Sequence, residues 1–253
     1  MKKLLLLLLP LLAITFIACH NEEEEEENGN PTKLVKTVEI YSYTTGNSEK
    51  FTAYYDNQNK PIKLEYRETD SHSPAYTINL TYSTNTITMT HSDFSGVRTF
   101  QLDDNGYLIR DNTFNYIYEN GYLKEAHGHD SGFRNSHWYF SWMNGNKVQT
   151  TIYLNNDYSS EYTYEYGNRE NLLNIDILGA LTSSEFGEYT FYHWLKFKGH
   201  ASKNYLGKAT WTNTDNIAKI ITYDYQFDED GYPTQVILSN ESRAWVKFIY
   251  TYY

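Results

Sequence analysis

Leu102-Asp103-Asp104-Asn105-Gly106-Tyr107-Leu108, Tyr118-Glu119-Asn120-Gly121-Tyr122-Leu123 and Phe227-Asp228-Glu229-Asp230-Gly231-Tyr232 are three versions of one phrase. An apolar or aromatic residue ends a strand, acids follow, an Asx-Gly pair makes the bend, and a tyrosine opens the next strand. Asn-Gly and Asp-Gly tolerate positive φ at both central positions of a type I′ turn, which matches the right-handed twist of the strands it joins. Asn144-Gly145 is a fourth such pair, and Tyr55-Asp56-Asn57-Gln58-Asn59 and Tyr66-Arg67-Glu68 are weaker copies. The phrase predicts hairpins. Its recurrence predicts a hairpin repeat whose copies stack side by side, because no single copy can bury its own apolar face.

Between the turns the side chains alternate. Ile62, Leu64 and Tyr66 alternate with Lys63, Glu65 and Arg67; Tyr76, Ile78, Leu80 and Tyr82 with Thr77, Asn79 and Thr81; Tyr162, Tyr164 and Tyr166 with Thr163 and Glu165. Ile217, Ile221, Tyr223, Tyr225 and Phe227 share a face of a longer segment. A period of two with one apolar face predicts an antiparallel sheet over a single core. The 26 tyrosines suit half-buried pleated surfaces. Leu172, Leu173, Ile175, Ile177, Leu178 and Leu181 break the alternation after Glu170-Asn171, which predicts a short helical excursion near residues 171–200. Tyr189 to Leu195 reads as strand or helix, and Gly199 to Gly207 as loop.

The N-terminal segment reads differently. Lys2 and Lys3 precede an apolar run from Leu4 to Ile17, and Ala18 precedes Cys19, the chain's only cysteine. A basic start, a short apolar stretch and a small residue make a secretory signal and not a membrane span. Phe16-Ile17-Ala18-Cys19 resembles the bacterial lipobox, which implies a signal peptide over 1–18 and lipidation of Cys19. Glu22 to Glu27 then form a self-repelling acidic tether over 19–32. Acidic runs in this position resemble the export signal that sends lipoproteins to the outer surface of Gram-negative gut anaerobes. The expected location is therefore the outer membrane, lipid-anchored and surface-exposed, with a single all-β domain over 33–253.

Charge narrows the partners. With the six tether acids and Lys2 and Lys3 set aside, 26 acids face 19 bases, an excess of 7 negative charges. That excludes nucleic acid, whose phosphates need a basic face, and also a basic patch on anionic lipid. One cysteine allows no internal disulfide, so stability must come from a core.

The turn contexts resemble the tyrosine-aspartate repeats of large secreted bacterial proteins. The stretch from Lys33 to Tyr253 is similar to a family of secreted lipoproteins of unknown function, with a porin-like fold, from gut and oral anaerobes. Asn174-Ile175-Asp176-Ile177-Leu178, Ser202-Lys203-Asn204-Tyr205-Leu206 and the closing Tyr223 to Tyr253 hairpin around Gly231 carry that resemblance. It implies a many-stranded antiparallel sheet, strongly curved or closed into a porin-like barrel, and brings no catalytic residue or cofactor. Three features set the domain apart from a membrane-spanning barrel. Its tyrosines run through strand middles, several strands look only five or six residues long against roughly nine to eleven needed to cross, and it already has an anchor.

For chemistry, His127, His129 and Asp130 with nearby His137 could face one metal, but Gly128, Ser131 and Gly132 make the segment a solvated turn, and no metal site is expected. His91-Ser92-Asp93 and the lone His72 are weaker still. No Gly-x-Ser-x-Gly, phosphate-binding loop or His-Glu-x-x-His motif occurs. Acids such as Asp103, Asp104, Asp228 and Asp230 belong to turns, and Glu65 and Glu165 to polar strand faces. Trp138, Phe140 and Trp142 share one strand face and Trp194, Trp211 and Trp245 lie elsewhere; core packing is the expectation for most of them, stacking on sugar the alternative. The sequence thus predicts a non-catalytic surface lipoprotein that binds an extracellular glycan or protein. The alternatives are an envelope scaffold and a glycan-acting enzyme, and no ligand-binding residue is named.

Overall fold

The computed structural model describes residues 33–68, 75–93, 96–130, 132–174, 199–241 and 243–253. The signal peptide, Cys19, the tether, His72, Trp194 and most of the expected helical excursion lie outside them. Within that excursion, 171–174 and 199–200 hold only turn and irregular backbone.

The sheet begins with β1 (Val35–Ser42), β2 (Ser48–Tyr55), β3 (Pro61–Glu68), β4 (Tyr76–Tyr82), β5 (Thr86–His91) and β6 (Val97–Leu102). It continues through β7 (Leu108–Arg110), β8 (Phe114–Glu119), β9 (Tyr122–Gly128), β10 (His137–Met143) and β11 (Asn146–Leu154). It ends with β12 (Asp157–Glu170), β13 (Asn204–Asn213), β14 (Ala218–Phe227), β15 (Pro233–Asn240) and β16 (Arg243–Tyr252). Each strand pairs antiparallel with its sequence neighbours, and β16 pairs with β1, so the sheet closes into a barrel. Closure removes the edges at which an open sheet would recruit other chains. Tyr66-Arg67-Glu68 closes β3, and the residues that follow it, 69–74, lie outside the described ones; the loop expected over 199–207 gives way to β13 from Asn204.

The interior is filled. Val38, Phe51, Leu64, Ile78, Ile87, Phe100, Leu108, Val236, Leu238 and Phe248 are wholly buried and come from β1–β7, β15 and β16. Their outward neighbours are polar: Lys63, Glu65 and Arg67 on β3; Thr77, Asn79 and Thr81 on β4; Thr222, Asp224 and Gln226 on β14. Glu65 bridges Lys63 at 2.6 Å and Arg67 at 3.7 Å on that outer surface. A lipid-embedded barrel has the reverse arrangement, an apolar band outside and a polar lumen. The short-strand expectation holds for β5 to β8, of three to six residues, whereas β12 runs for 14.

One end of the barrel, where β1 starts and β16 finishes, shows what the repeat is for. In seven of the eight strand pairs meeting there, the register slips by one residue next to the last inward residue. The seven are Tyr55 opposite Pro61, Leu102 opposite Leu108, Tyr118 opposite Leu123, Trp142 opposite Lys147, Tyr166 opposite Leu206, Phe227 opposite Pro233 and Tyr252 opposite Val35. A β-bulge bends its strand and takes one residue out of the ladder. Ile62 and Ile109 are such extra residues, which is why they stand 39% and 38% exposed and Ile62 departs from its expected alternation.

The rings then use what the bulges free. Tyr55, Tyr82, Tyr118, Tyr166 and Tyr252 donate their hydroxyls to the carbonyls of Val35, Pro61, Leu108, Lys147 and Pro233. Trp142 Nε1 donates in the same way to Leu123. Every one of those carbonyls belongs to the residue just before a bulge. Burial raises the Tyr55 hydroxyl to about 12 and drives those of Tyr82, Tyr118 and Tyr252 higher still, so all stay protonated donors. Tyr55, Tyr82, Tyr118, Tyr166 and Tyr252 thus gather at this end, where they point inward and seal the barrel, while Tyr116, Tyr139, Tyr162, Tyr164 and Tyr223 run through strand middles as expected. The segment 199–204 is strapped across this end by His200 N to Gly121 O (2.8 Å) and Lys203 N to Gly145 O (2.9 Å).

The turns divide into two chemical types. Asn120-Gly121 and Asn144-Gly145 have positive φ at both positions, as a type I′ turn requires, and so does Asn155-Asn156, which the sequence reading passed over. At Asn105-Gly106 and Asp230-Gly231 only the glycine is positive. There the acid two residues earlier does the work: Asp103 Oδ1 accepts from the amides of Asn105 and Tyr107, and Asp228 Oδ1 from those of Asp230 and Tyr232. Asp56 repeats the arrangement with Gln58 and Lys60. These are Asx-capped turns and not the type I′ bends expected.

Asp228 has a second partner, the Lys33 ammonium at 2.8 Å, which also reaches Asp230 at 2.6 Å. Partial burial pushes the Asp228 carboxyl up, but the Lys33 hydrogen bond and the Tyr232 and Asp230 amides outweigh it, leaving it below the ordinary range. A depressed carboxyl favours the folded state above its unfolded value of about 3.9, and that contribution is lost as pH falls through the lower folded value. The stability gap between the native chain and Asp228→Asn is therefore expected to be widest above about pH 4 and to close in stronger acid. Urea unfolding from pH 3 to 7 measures it; a gap independent of pH would show that the ion pair contributes nothing.

Candidate functional site

β10 reads His137-Trp138-Tyr139-Phe140-Ser141-Trp142-Met143, with rings on both faces. Trp138 and Phe140 pack against the core, so the Trp138-Phe140-Trp142 face points inward, as the core-packing expectation had it. Lys147 Nζ lies 5.8, 5.9 and 5.5 Å from the rings of Phe140, Trp142 and Tyr164. Trp245 packs against the same core, and Lys219 sits over Trp211 at 5.3 Å. The apolar rings are structural.

The opposite face of β10 carries His137 and Tyr139 to the outside. Strand register sets them in two outward rows across neighbouring strands. In the first, Asn115, His127, His137, Tyr153 and Tyr158 stand opposite one another in turn from β8 to β12; in the second, Ile117, Glu125, Tyr139, Thr151 and Glu161 do. Ring centroids are 4.8 Å apart for His127 and His137, 5.7 Å for Tyr139 and Tyr153, and 6.2 Å for Tyr153 and Tyr158. Those three contacts are edge-to-face, and His137 stacks parallel to Tyr139 at 6.5 Å. The result is a herringbone of rings instead of the coplanar platform expected of a sugar site. Tyr139 and Tyr158 remain 41% and 40% exposed.

His137, Tyr139, Thr151, Tyr153 and Asn156 line an open pocket of about 510 Å³ in this face. It is an open depression in the barrel wall and not an enclosed cavity. The β9–β10 loop stands beside it, tied down by Asn156 N to Asn135 O (3.0 Å), His129 N to Thr113 O (2.9 Å) and Gly128 N to Ser136 O (2.9 Å). His127 Nε2 lies 2.6 Å from Glu125 Oε2, and Gln149 donates to Glu161 at 2.7 Å. Both carboxylates are held as acceptors, on either side of Tyr139 and Thr151 in the second row.

The histidines expected in one solvated turn separate. His127 and His137 are paired on strands, and only His129 lies in the loop, with Nε2 2.9 Å from the Asp111 carbonyl oxygen. Among the described residues no three His, Cys, Asp or Glu side chains converge as metal ligands. His91 lies 4.4 Å from the Tyr76 ring and accepts from the Asp93 amide, as part of the wall. Among the described residues one carboxylate pair stands face to face across strands, Glu49 opposite Glu68 at the rim away from the tyrosine seal; burial and the Glu68 charge hold Glu49 above its ordinary value despite the Tyr66 hydrogen bond. It lies apart from the pocket.

A closed antiparallel barrel with this closure is of the porin-like type. The chain is similar to the crystal structure of a porin-like protein from Bacteroides uniformis, with a TM-score of 0.68 and 15% identity over 88% of this chain and 99% of that one. A porin-like protein from Bacteroides vulgatus matches with a TM-score of 0.63 and 14% identity, over 87% and 99%. No family model and no curated protein matches the sequence. At such identities the likeness extends to the fold, and the porin-like barrel implied by the sequence is the fold observed.

Proposed function

We propose that this protein is a non-catalytic lipoprotein, anchored through Cys19 to the outer membrane and exposed at the surface, that binds an extracellular glycan through the ring-lined trough on β9–β12. The outward ladder His127, His137, Tyr139, Tyr153 and Tyr158 over a 510 Å³ pocket carries the reading. Rings left outside a barrel that has abundant apolar filling are not needed for its core. Tyrosine supplies both an apolar face for sugar C–H groups and a hydroxyl for their oxygens. Thr151, Asn156 and Glu125 add the few placed polar groups that fix a ligand's orientation. The scaffold alternative would use an open sheet edge, and closure of the described strands removes that route.

A glycan-array screen of the full chain in detergent tests the reading. Binding is expected for at least one oligosaccharide class, and Tyr139→Ala is expected to weaken it about tenfold or more, an effect of about 1.4 kcal/mol, with the unfolding midpoint little changed. Silence across the array, or binding that survives Tyr139→Ala, would overturn it and assign the trough to a protein partner.

A further inference from the structure

The trough has a sign as well as a shape. From β9 to β12 its second row is flanked by carboxylates, Glu125 on β9 and Glu161 on β12, with Tyr139 and Thr151 between them and Ile117 of β8 beyond Glu125. Three strand spacings separate the two acids, about 14 Å. Neither row contains a lysine or an arginine. The adjoining loop adds Asp130 and Arg134, one charge of each sign, and the domain as a whole is acidic. Both carboxylates are already oriented, by His127 at 2.6 Å and Gln149 at 2.7 Å, so each offers a fixed acceptor and not a mobile charge.

Resting on the glycan reading, we infer that the trough selects uncharged sugar chains lying across the strands from Glu125 to Glu161, and turns away uronic and sulfated ones. Neutral hydroxyls can donate to both carboxylates while ring faces meet Tyr139 and Tyr153. A sugar carboxylate in the same span would face two like charges, with no lysine or arginine in either row to offset them. Like charges at such separations repel through the partly desolvated surface, and added salt screens the repulsion.

Titration calorimetry of the full chain in detergent is the test, with neutral gluco-, manno- and galacto-configured trisaccharides set against trigalacturonate. At least one neutral trimer is expected to bind about tenfold or more tightly than trigalacturonate. The double change Glu125→Gln, Glu161→Gln keeps the shape and is expected to narrow that ratio severalfold, as is raising the salt tenfold. Trigalacturonate binding as tightly as the best neutral trimer, or a ratio unmoved by both the double change and salt, would overturn the inference while the glycan reading stands. No binding of either kind would remove the glycan reading itself.

Discussion

Phe248→Ala is expected to destabilise the fold by about 3–5 kcal/mol, a large fraction of what holds a domain of this size together. Phe248 is 1% exposed and sits on β16, the strand that closes the barrel. It stands between Ile40 of β1 and Val236 of β15, both buried, so its ring bridges the first and last hairpins of the chain. Removing it deletes transfer free energy and leaves a hole whose walls are held by ladders on either side, so they can collapse only in part. Lys247→Ala, on the adjacent outward position, is the control. It loses only a cation–π contact to Tyr41 and is expected to change stability by less than about 1 kcal/mol. Urea unfolding of both variants decides the matter. A Phe248→Ala loss below about 1 kcal/mol would mean that the interior at the seam is not packed.

The same seam shows what local sequence can and cannot express. The hairpins were legible because a turn is written in adjacent residues: Asn120-Gly121 and Asn144-Gly145 require positive φ, and only a few residue types accept it. Asn155-Asn156 has the same backbone, but lacks the glycine that makes the signal strong. Closure of β16 onto β1 joins residues some 200 positions apart, and no local pattern specifies it. The bulges are intermediate. Each inserts one residue, so Ile62 reads as a member of the inward face until the register shows that Pro61 and Lys63, and not Ile62, have partners on β2. Tyrosine–aspartate phrasing records the outcome of this geometry, a ring that folds in over the barrel end and an acid that caps the turn beyond it.

The candidate site was missed for a related reason. In the sequence, Trp138, Phe140 and Trp142 are the rings that suggest core packing or, alternatively, stacking on sugar, while His127 and His137 read as part of a solvated turn. Alternation along β10 places three rings of one face inside and the imidazole and phenol of the other outside. Which face turns inward follows from polarity: indole and phenyl rings gain most from burial, whereas His137 and Tyr139 have polar atoms that water satisfies. That signal was present in the seven residues from His137 to Met143. What they could not reveal was that β9 and β11 would bring His127, Tyr153 and Thr151 alongside, since that depends on register.

Gly128→Ala is expected to strike both the fold and the trough. A methyl group at Gly128 would lie 1.9 Å from the Phe133 carbonyl oxygen and 2.7 Å from its carbon. Those are main-chain atoms of the β9–β10 loop and cannot rotate away as a side chain would. The loop must therefore lift. Gly128 N to Ser136 O, Ser136 N to Phe133 O and Asn156 N to Asn135 O are the hydrogen bonds most strained by that movement. A loss of about 2–3 kcal/mol is expected from overpacking and the bonds it weakens. Because Asn156 lines the pocket and is tied to the same loop, the affinity of the proposed glycan site is expected to fall about tenfold even at temperatures where the variant is fully folded. Gly132→Ala separates this from a general effect of stiffening the loop, since a methyl group there meets nothing within 4 Å. It should leave stability within about 0.5 kcal/mol and binding unchanged. If the two alanine variants lose affinity equally, the loop acts through its flexibility; if only Gly128→Ala loses it, the loop acts as a fixed wall, as its three backbone tethers require.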